Sequence, residues 1–245
     1  MTEFEDVLAH PRSVTARRSL LRAWIEQNAP QARLLELALA AHDGDPAAHS
    51  ESARLVRKHG RELAGPIADE VEKFEFGMGL VAWIKTSADE FIRRGSDLTA
   101  RAPLLGLLVV GERKHDVMSL PPLGQILELA FFGPGIDDDL ARAVASSPHC
   151  RELRTLRLSN GTIGSAGLAA LTASGSLPNI VSIDLTGNPC AAELTQLENG
   201  GAFFVGPAGE FYWAKARDAQ FFSSDSFNPA NFFWPPSFDS YAWTD

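Results

Sequence analysis

The sequence predicts an α/β fold in three parts. An N-terminal helical region with a β-hairpin leads into a short array of strand-plus-helix repeats, and an aromatic-rich segment closes the array. Three observations predict this. Residues 3–63 carry apolar side chains at helical spacing. Residues 103–190 repeat a short apolar strand pattern, separated by alanine-rich stretches. Residues 201–245 hold 14 of the chain's 22 aromatic residues. The parts are expected at 1–100, 101–200 and 201–245.

Within the first part, Val14 to Ile25 carries Leu20, Leu21, Trp24 and Ile25 as a helical apolar stripe. Ala32 to Ala41 carries Leu34, Leu35, Leu37 and Leu39, with Pro30 just ahead, where proline is tolerated. Residues 42–50, HDGDPAAHS, read as a turn-rich connection. Helical spacing resumes from Glu51 to Leu63, and His59-Gly60 reads as a helix-end signal. The period then changes. Val71, Phe74 and Phe76 precede Gly77-Met78-Gly79, and Leu80 to Ile84 follows, which predicts a hairpin. Ser87 with Glu90 three residues on has the spacing of a capping box opening a helix through Leu98.

From residue 103 the pattern repeats. Leu105-x-x-Leu108-x-Val110 comes first, then Leu127-x-Leu129 preceded by Leu123. Leu153-x-x-Leu156-x-Leu158 and Ile180-x-x-Ile183-x-Leu185 follow. Leu129 to Leu158 spans 29 residues and Leu158 to Leu185 spans 27, with helical spacing in Asp137–Ser146 and Ser165–Ser174 between them. A strand plus a helix at this interval is the leucine-rich-repeat pattern, a short solenoid with a helical convex side. The leucines would stack in one core, and Asn188 would bond turn backbone where strand leaves for helix. The first interval, Val110 to Leu129, is only 19. Either that repeat lacks its helix or the register is shifted. In the tail, Ala202–Val205 and Glu210–Ala214 flank Gly-Pro-Ala-Gly and read as a second hairpin.

Four stretches resemble a known family: PRSVTARRSLLRAWIEQNAPQARLLELALA, HGRELAGPI, FEFGMGLVAWIKTSADEF and APLLGLLVV. They are similar to the bacterial repeat-companion domain, a module that precedes leucine-rich repeats. Residues 123–190 resemble repeats of the ribonuclease-inhibitor-like type. Together the likeness covers about three quarters of the chain. Two features depart from the family: LRAWIEQ stands where members carry an acidic YADWLEE-like stretch, and Asn28-Ala29-Pro30 where they carry Gly-Asp-Pro. The resemblance implies a non-enzymatic binding scaffold. Some related bacterial repeat proteins act as immunity proteins against toxins.

Charge narrows the partner class. The net charge is −9, and residues 1–100, 101–200 and 201–245 each contribute −3. No segment concentrates positive charge as nucleic-acid binders do, so nucleic acid is not expected as a partner. An acidic surface repels anionic membranes and favours a basic protein. No run of 18 apolar residues is present, and the opening MTEFEDVLAHPRS lacks the apolar core of a secretory leader. Cys150 and Cys190 form no CxxC and no metal-ligand spacing, so both read as small apolar fillers suited to a reducing cytoplasm.

Chemistry-bearing clusters are few. His42, Asp43, Asp45 and His49 fall within eight residues, but a polar inter-helix loop explains them as well as a metal would. Asp137-Asp138-Asp139 fits a helix start better than a cation site. No GxSxG, GxxxxGK[ST], HExxH or GxGxxG occurs. No catalytic residue, metal or cofactor is therefore expected. The partner-binding expectation falls on Glu128, Arg157 and Asp184 as neighbours in successive repeats, on adjacent Arg154, and on Trp234, Tyr241 and Trp243 of the tail. The expected function is protein binding without catalysis, most concretely immunity against a cognate basic toxin. A signalling adaptor or regulatory protein using the same face is the alternative, and a hydrolase or metal-dependent enzyme, which a stoichiometric bound metal would revive, is the third class.

Overall fold

The computed structural model describes residues 2–173, 177–180, 182–185, 187–190, 201–205 and 211–215. They form a mixed α/β protein in two compact units, one from the described residues up to Lys85 with Ser96–Leu105, the other from Thr86–Gly95 with the described residues between Gly106 and Lys215.

The first unit opens with α1 (Glu3–Ala9), α2 (Val14–Glu26), α3 (Ala32–His42) and α4 (Pro46–Ala64). Each start except that of α3 has a side-chain cap. Thr2 and Glu5 form a reciprocal capping box, and the Ser13 hydroxyl accepts from the Ala16 amide at 3.0 Å. Asp45 accepts from the Ala47 and Ala48 amides, with Pro46 in the first helical turn. The expected connection at 42–50 is therefore short, because Asp45-Pro46 already starts a helix. Nor do His59 and Gly60 end it. Gly60 is buried inside α4, and the helix stops at Gly65, whose φ of 59° suits glycine.

Val7, Val14, Ala16, Leu20, Leu35, Leu39 and Leu80 form one buried cluster, with Phe4, Leu21, Trp24 and Met78 packed against it. Ile25, read as part of the same stripe, is instead 56% exposed. After a single turn, α5 (Ile67–Glu70), come β1 (Lys73–Gly77) and β2 (Leu80–Ser87), paired antiparallel. The loop residues Met78 and Gly79 have φ of 47° and 82°, the positive values of a tight hairpin turn. At Gly79 a Cβ would lie 2.6 Å from the Leu35 Cα, so the turn presses on α3 where no side chain fits. Helix α6 (Ala88–Arg101) follows; the Ser87 hydroxyl caps it by accepting from the Glu90 amide at 3.1 Å. Glu90 itself pairs with Arg93 and Arg94.

The second unit holds four parallel strands: β3 (Gly106–Val110), β4 (Glu128–Phe132), β5 (Thr155–Arg157) and β6 (Ser182–Asp184). One-turn helix α7 (Lys114–Val117) and a 3₁₀ turn at Pro121–Gln125 connect β3 to β4. Helices α8 (Asp138–Ser146) and α9 (Ser165–Ala173) follow β4 and β5. Strands β7 (Gly201–Val205) and β8 (Phe211–Lys215) form the hairpin expected in the tail, and β8 pairs antiparallel with β6.

The strand register corrects the interval read from sequence. Leu129 stands opposite Leu156, and Leu156 opposite Ile183, so both intervals are 27 residues. Leu107 stands opposite Leu129, an interval of 22 that holds α7 in place of a full helix. The equivalent of Leu158 is Phe131, not Leu129. At 27-residue spacing five rows of buried side chains line up: Leu123-Cys150-Leu177, Ile126-Leu153-Ile180, Leu129-Leu156-Ile183, Phe131-Leu158-Leu185 and Ile136-Ile163-Cys190. Each full burial of such a side chain contributes roughly 1.5–3 kcal/mol.

Every strand exit uses a left-handed residue at the same height. Gly111, Gly133, Asn160 and Gly187 have φ of 89°, 88°, 57° and 74°. Successive strand-helix segments then complete each other's turns. Buried Asn188 donates to the Leu158 carbonyl at 2.7 Å and the Leu185 carbonyl at 3.0 Å, and accepts from the Ile163 amide at 3.0 Å. Asp137 caps its own helix through the Leu140 amide at 2.9 Å. Asp138 reaches the next helix, accepting from the Gly164 amide at 2.8 Å and the Gly167 amide at 2.9 Å. The aspartate run thus serves helix starts. Replacing Asn188 by alanine strands two buried backbone groups, the Leu158 carbonyl and the Ile163 amide, while the Leu185 carbonyl keeps the backbone amide of residue 188 at 3.2 Å. Its expected cost is about 2–4 kcal/mol of unfolding free energy, checked by urea denaturation, with Asn179→Ala as an exposed comparison near wild type.

Candidate functional site

Alternation along the strands puts Leu107, Val109, Leu129, Phe131, Leu156 and Ile183 on one buried face. The opposite face carries Leu108 and Val110 from β3, Glu128, Ala130 and Phe132 from β4, Thr155 and Arg157 from β5, and Asp184 from β6. This is the face on which the sequence placed its partner-binding residues, and the register sorts them into rows. Glu128, Thr155 and Ser182 share one row; Ala130, Arg157 and Asp184 share the next. Glu128 is therefore one step off the Arg157–Asp184 row. The two-residue shift in the sequence register had placed it there.

Burial corrects the expectation further. Glu128 is 1% exposed and Asp184 7% exposed, so neither offers a carboxylate to a partner in solution. Neither they nor Arg157 is without an interaction of its own. Two buried carboxylates on a sheet face require partners within the fold, which makes them structural polar groups. Arg154 and Arg157 are half-buried. Both the Arg154 and Thr155 amides donate to the Leu127 carbonyl, at 2.7 and 3.0 Å, so backbone bonding fixes where Arg154 enters β5. Trp234, Tyr241 and Trp243 lie outside the described residues.

Sequence reasoning missed Phe132. Its side chain is 48% exposed, opposite half-buried Val110 in the register and two residues from Ala130 on the same face. It offers an apolar contact at one end of the face, and Arg157 offers a cation two strand positions away. The signal was present in Phe131-Phe132, a pair in which alternation buries only one ring.

Lys114, also missed, anchors the edge of this face. Its ammonium is fully buried and donates to the carbonyls of Gly111 and of Pro134, the latter at 2.5 Å. Those carbonyls belong to the turns after β3 and β4, so one side chain ties two strand exits together. Desolvation pulls the Lys114 pKa below the usual amine range, against the opposing pull of Glu112 and Asp137.

The remaining polar clusters have structural employment. Asp43 pairs with Arg18 at 2.7 Å, and Asp45 caps α4. Among the described residues, no group of three or more His, Cys, Asp or Glu side chains converges on a point, and no helix is long and apolar enough to cross a membrane. Cys150 and Cys190 are free thiols buried in two different rows of the repeat. Burial pushes the Cys150 thiol up, outweighing its hydrogen bond with Ser147, so at neutral pH it is not a nucleophile. Comparison with protein-family models, curated proteins and solved structures finds no match.

Both thiols should be inert in the native protein. A colorimetric disulfide reagent at neutral pH is expected to titrate neither cysteine within the time it takes to titrate both in guanidinium. Rapid native reaction would show that the rows holding them open readily.

Proposed function

We propose that the chain is a protein-binding scaffold without catalysis, and that its second unit is a short leucine-rich-repeat array read by a partner through the Phe132 end of the sheet face. The repeat reading is supported by the 27-residue strand register and by Asn188, which bonds the turns of two successive units. The repeat-companion resemblance of the N-terminal part supports the same architecture. One observation carries the functional reading: half-exposed Phe132 and half-buried Arg157 lie on the same sheet face, whose reverse is buried. Aromatic side chains and arginine are the residue types that most often anchor interfaces, and a large apolar ring left half in water gains most from being covered.

The most concrete form of this function is immunity: binding and neutralising a cognate toxin. With a net charge of −9, the chain would be drawn fastest to a basic partner, with an on-rate that falls as salt rises. The test is capture by the intact protein of the products of adjacent genes at low and moderate salt, followed by a toxicity assay of what is captured. Phe132→Ala is expected to weaken association by about tenfold or more while changing unfolding free energy by less than about 1 kcal/mol. Capture that is indifferent to Phe132 and Arg157 would remove the sheet face from the reading. A captured partner whose toxicity is unaffected would remove the immunity role.

A further inference from the structure

Helix α4 carries a second candidate surface, independent of the sheet face. Arg54, Arg57, Lys58 and Arg61 are all exposed. At 3.6 residues per turn they fall within an arc of about 100°, opposite buried Leu63, over a length of about 10 Å. Arg61 is bonded to Asp69. Among the described residues, no carboxylate comes within ion-pair distance of Arg54, Arg57 or Lys58. Of the acidic side chains of the helix, Glu51 pairs with Arg33 at 2.7 Å, and Glu62 lies 3.2 Å from the His59 ring nitrogen. Elsewhere in this unit the usual pattern is neutralisation, as in Arg18 with Asp43, Arg33 with Glu36, and Arg101 with Glu70 and Asp97. Arg22 is exposed and unpaired among the described residues, but it stands alone. A shallow hollow lined by Lys58, His59, Arg61 and Glu62 flanks the stripe. On the outer face toward the N-terminus, Ala47 and Ser50 are small and exposed, so a backbone can approach closely.

We propose that this face of α4 docks an acidic segment of a partner protein. Charge complementarity selects the class. Like cations three and four residues apart repel one another on an isolated helix, and carboxylates laid across them remove that repulsion. The size of the stripe and the sign of the whole chain select among anions. Screening confines the attraction to roughly 8 Å at physiological salt, so a short peptide feels the local stripe. A membrane or a nucleic acid presents charge over a much larger area and meets the remainder of a chain with net charge −9. Nucleic-acid binders also commonly make roughly 6–10 phosphate contacts, more than four cations supply.

The test uses the intact chain and fluorescein-labelled octaglutamate, read by anisotropy at low salt. Binding is expected, and it should be lost at about 0.5 M salt. The charge reversal R54E/R57E/K58E should weaken it by about tenfold or more, and R22E should leave it unchanged. Circular dichroism checks the fold of each variant, and R54Q/R57Q/K58Q replaces the reversal if the latter fails to fold. Phosphatidylserine vesicles and an oligothymidylate serve as competing anions. The proposal is overturned if octaglutamate does not bind, if binding ignores the α4 substitutions, or if vesicles or oligothymidylate bind more tightly than the peptide. None of these outcomes bears on Phe132, so the sheet-face reading stands or falls separately.

Discussion

Parallel strands cannot be joined by a tight hairpin. Each chain segment must leave the sheet, cross its back and return at the same end. In the second unit that demand is met at one point per strand, the residue where the backbone swings into the left-handed region. Gly111, Gly133, Asn160 and Gly187 occupy it in successive strands. Three are glycines, and the fourth is asparagine, the residue type that best tolerates the conformation otherwise. Because every exit lies at the same height, the helices start at the same height, and side chains 27 residues apart fall into rows. The buried core is a consequence of where the turns are placed.

The turns in turn depend on buried polar side chains. Asn188 donates to the Leu158 carbonyl and Lys114 to the Pro134 carbonyl where the chain changes direction, and Asp138 serves amides at the start of the following helix. Each joins the turns of two successive strands, so a hydrogen bond that would cost stability if left unmade becomes a bond between neighbouring repeats. Arg17 in the first unit is a contrasting case. It is fully buried on α2, and desolvation pulls its pKa down to about 10. One guanidinium nitrogen donates to the Ser13 carbonyl at 3.4 Å, so part of its hydrogen bonding serves the start of its own helix.

Much of this was legible in the residues. The helix order, the Met78-Gly79 hairpin, the aspartate caps, the strands and the role of Asn188 follow from spacing and turn chemistry. The register did not follow, for a definable reason. Alternation is unchanged by a shift of two residues, so Leu127-x-Leu129 and Leu129-x-Phe131 are equally good strand patterns. Phe131 in a row otherwise held by leucine concealed the correct one. That shift misplaced Glu128, and the same ambiguity drew attention to charged residues in place of Phe132. Burial of Glu128 and Asp184 was not legible because it depends on what lies across the sheet face, which strand alternation leaves open. Asp45-Pro46 was legible in principle, since a capping residue followed by proline marks a helix start.

The shared spacing has a genetic corollary. A segment of 27 residues copied in tandem would bring its own strand, exit residue, cap and place in every row, so the chain can lengthen or shorten by whole units with little disturbance. A single-residue insertion within a strand has the opposite effect: it turns a row of leucines outward and a row of polar residues inward. The same geometry that stacks the core therefore restricts the sizes in which this part of the chain can change.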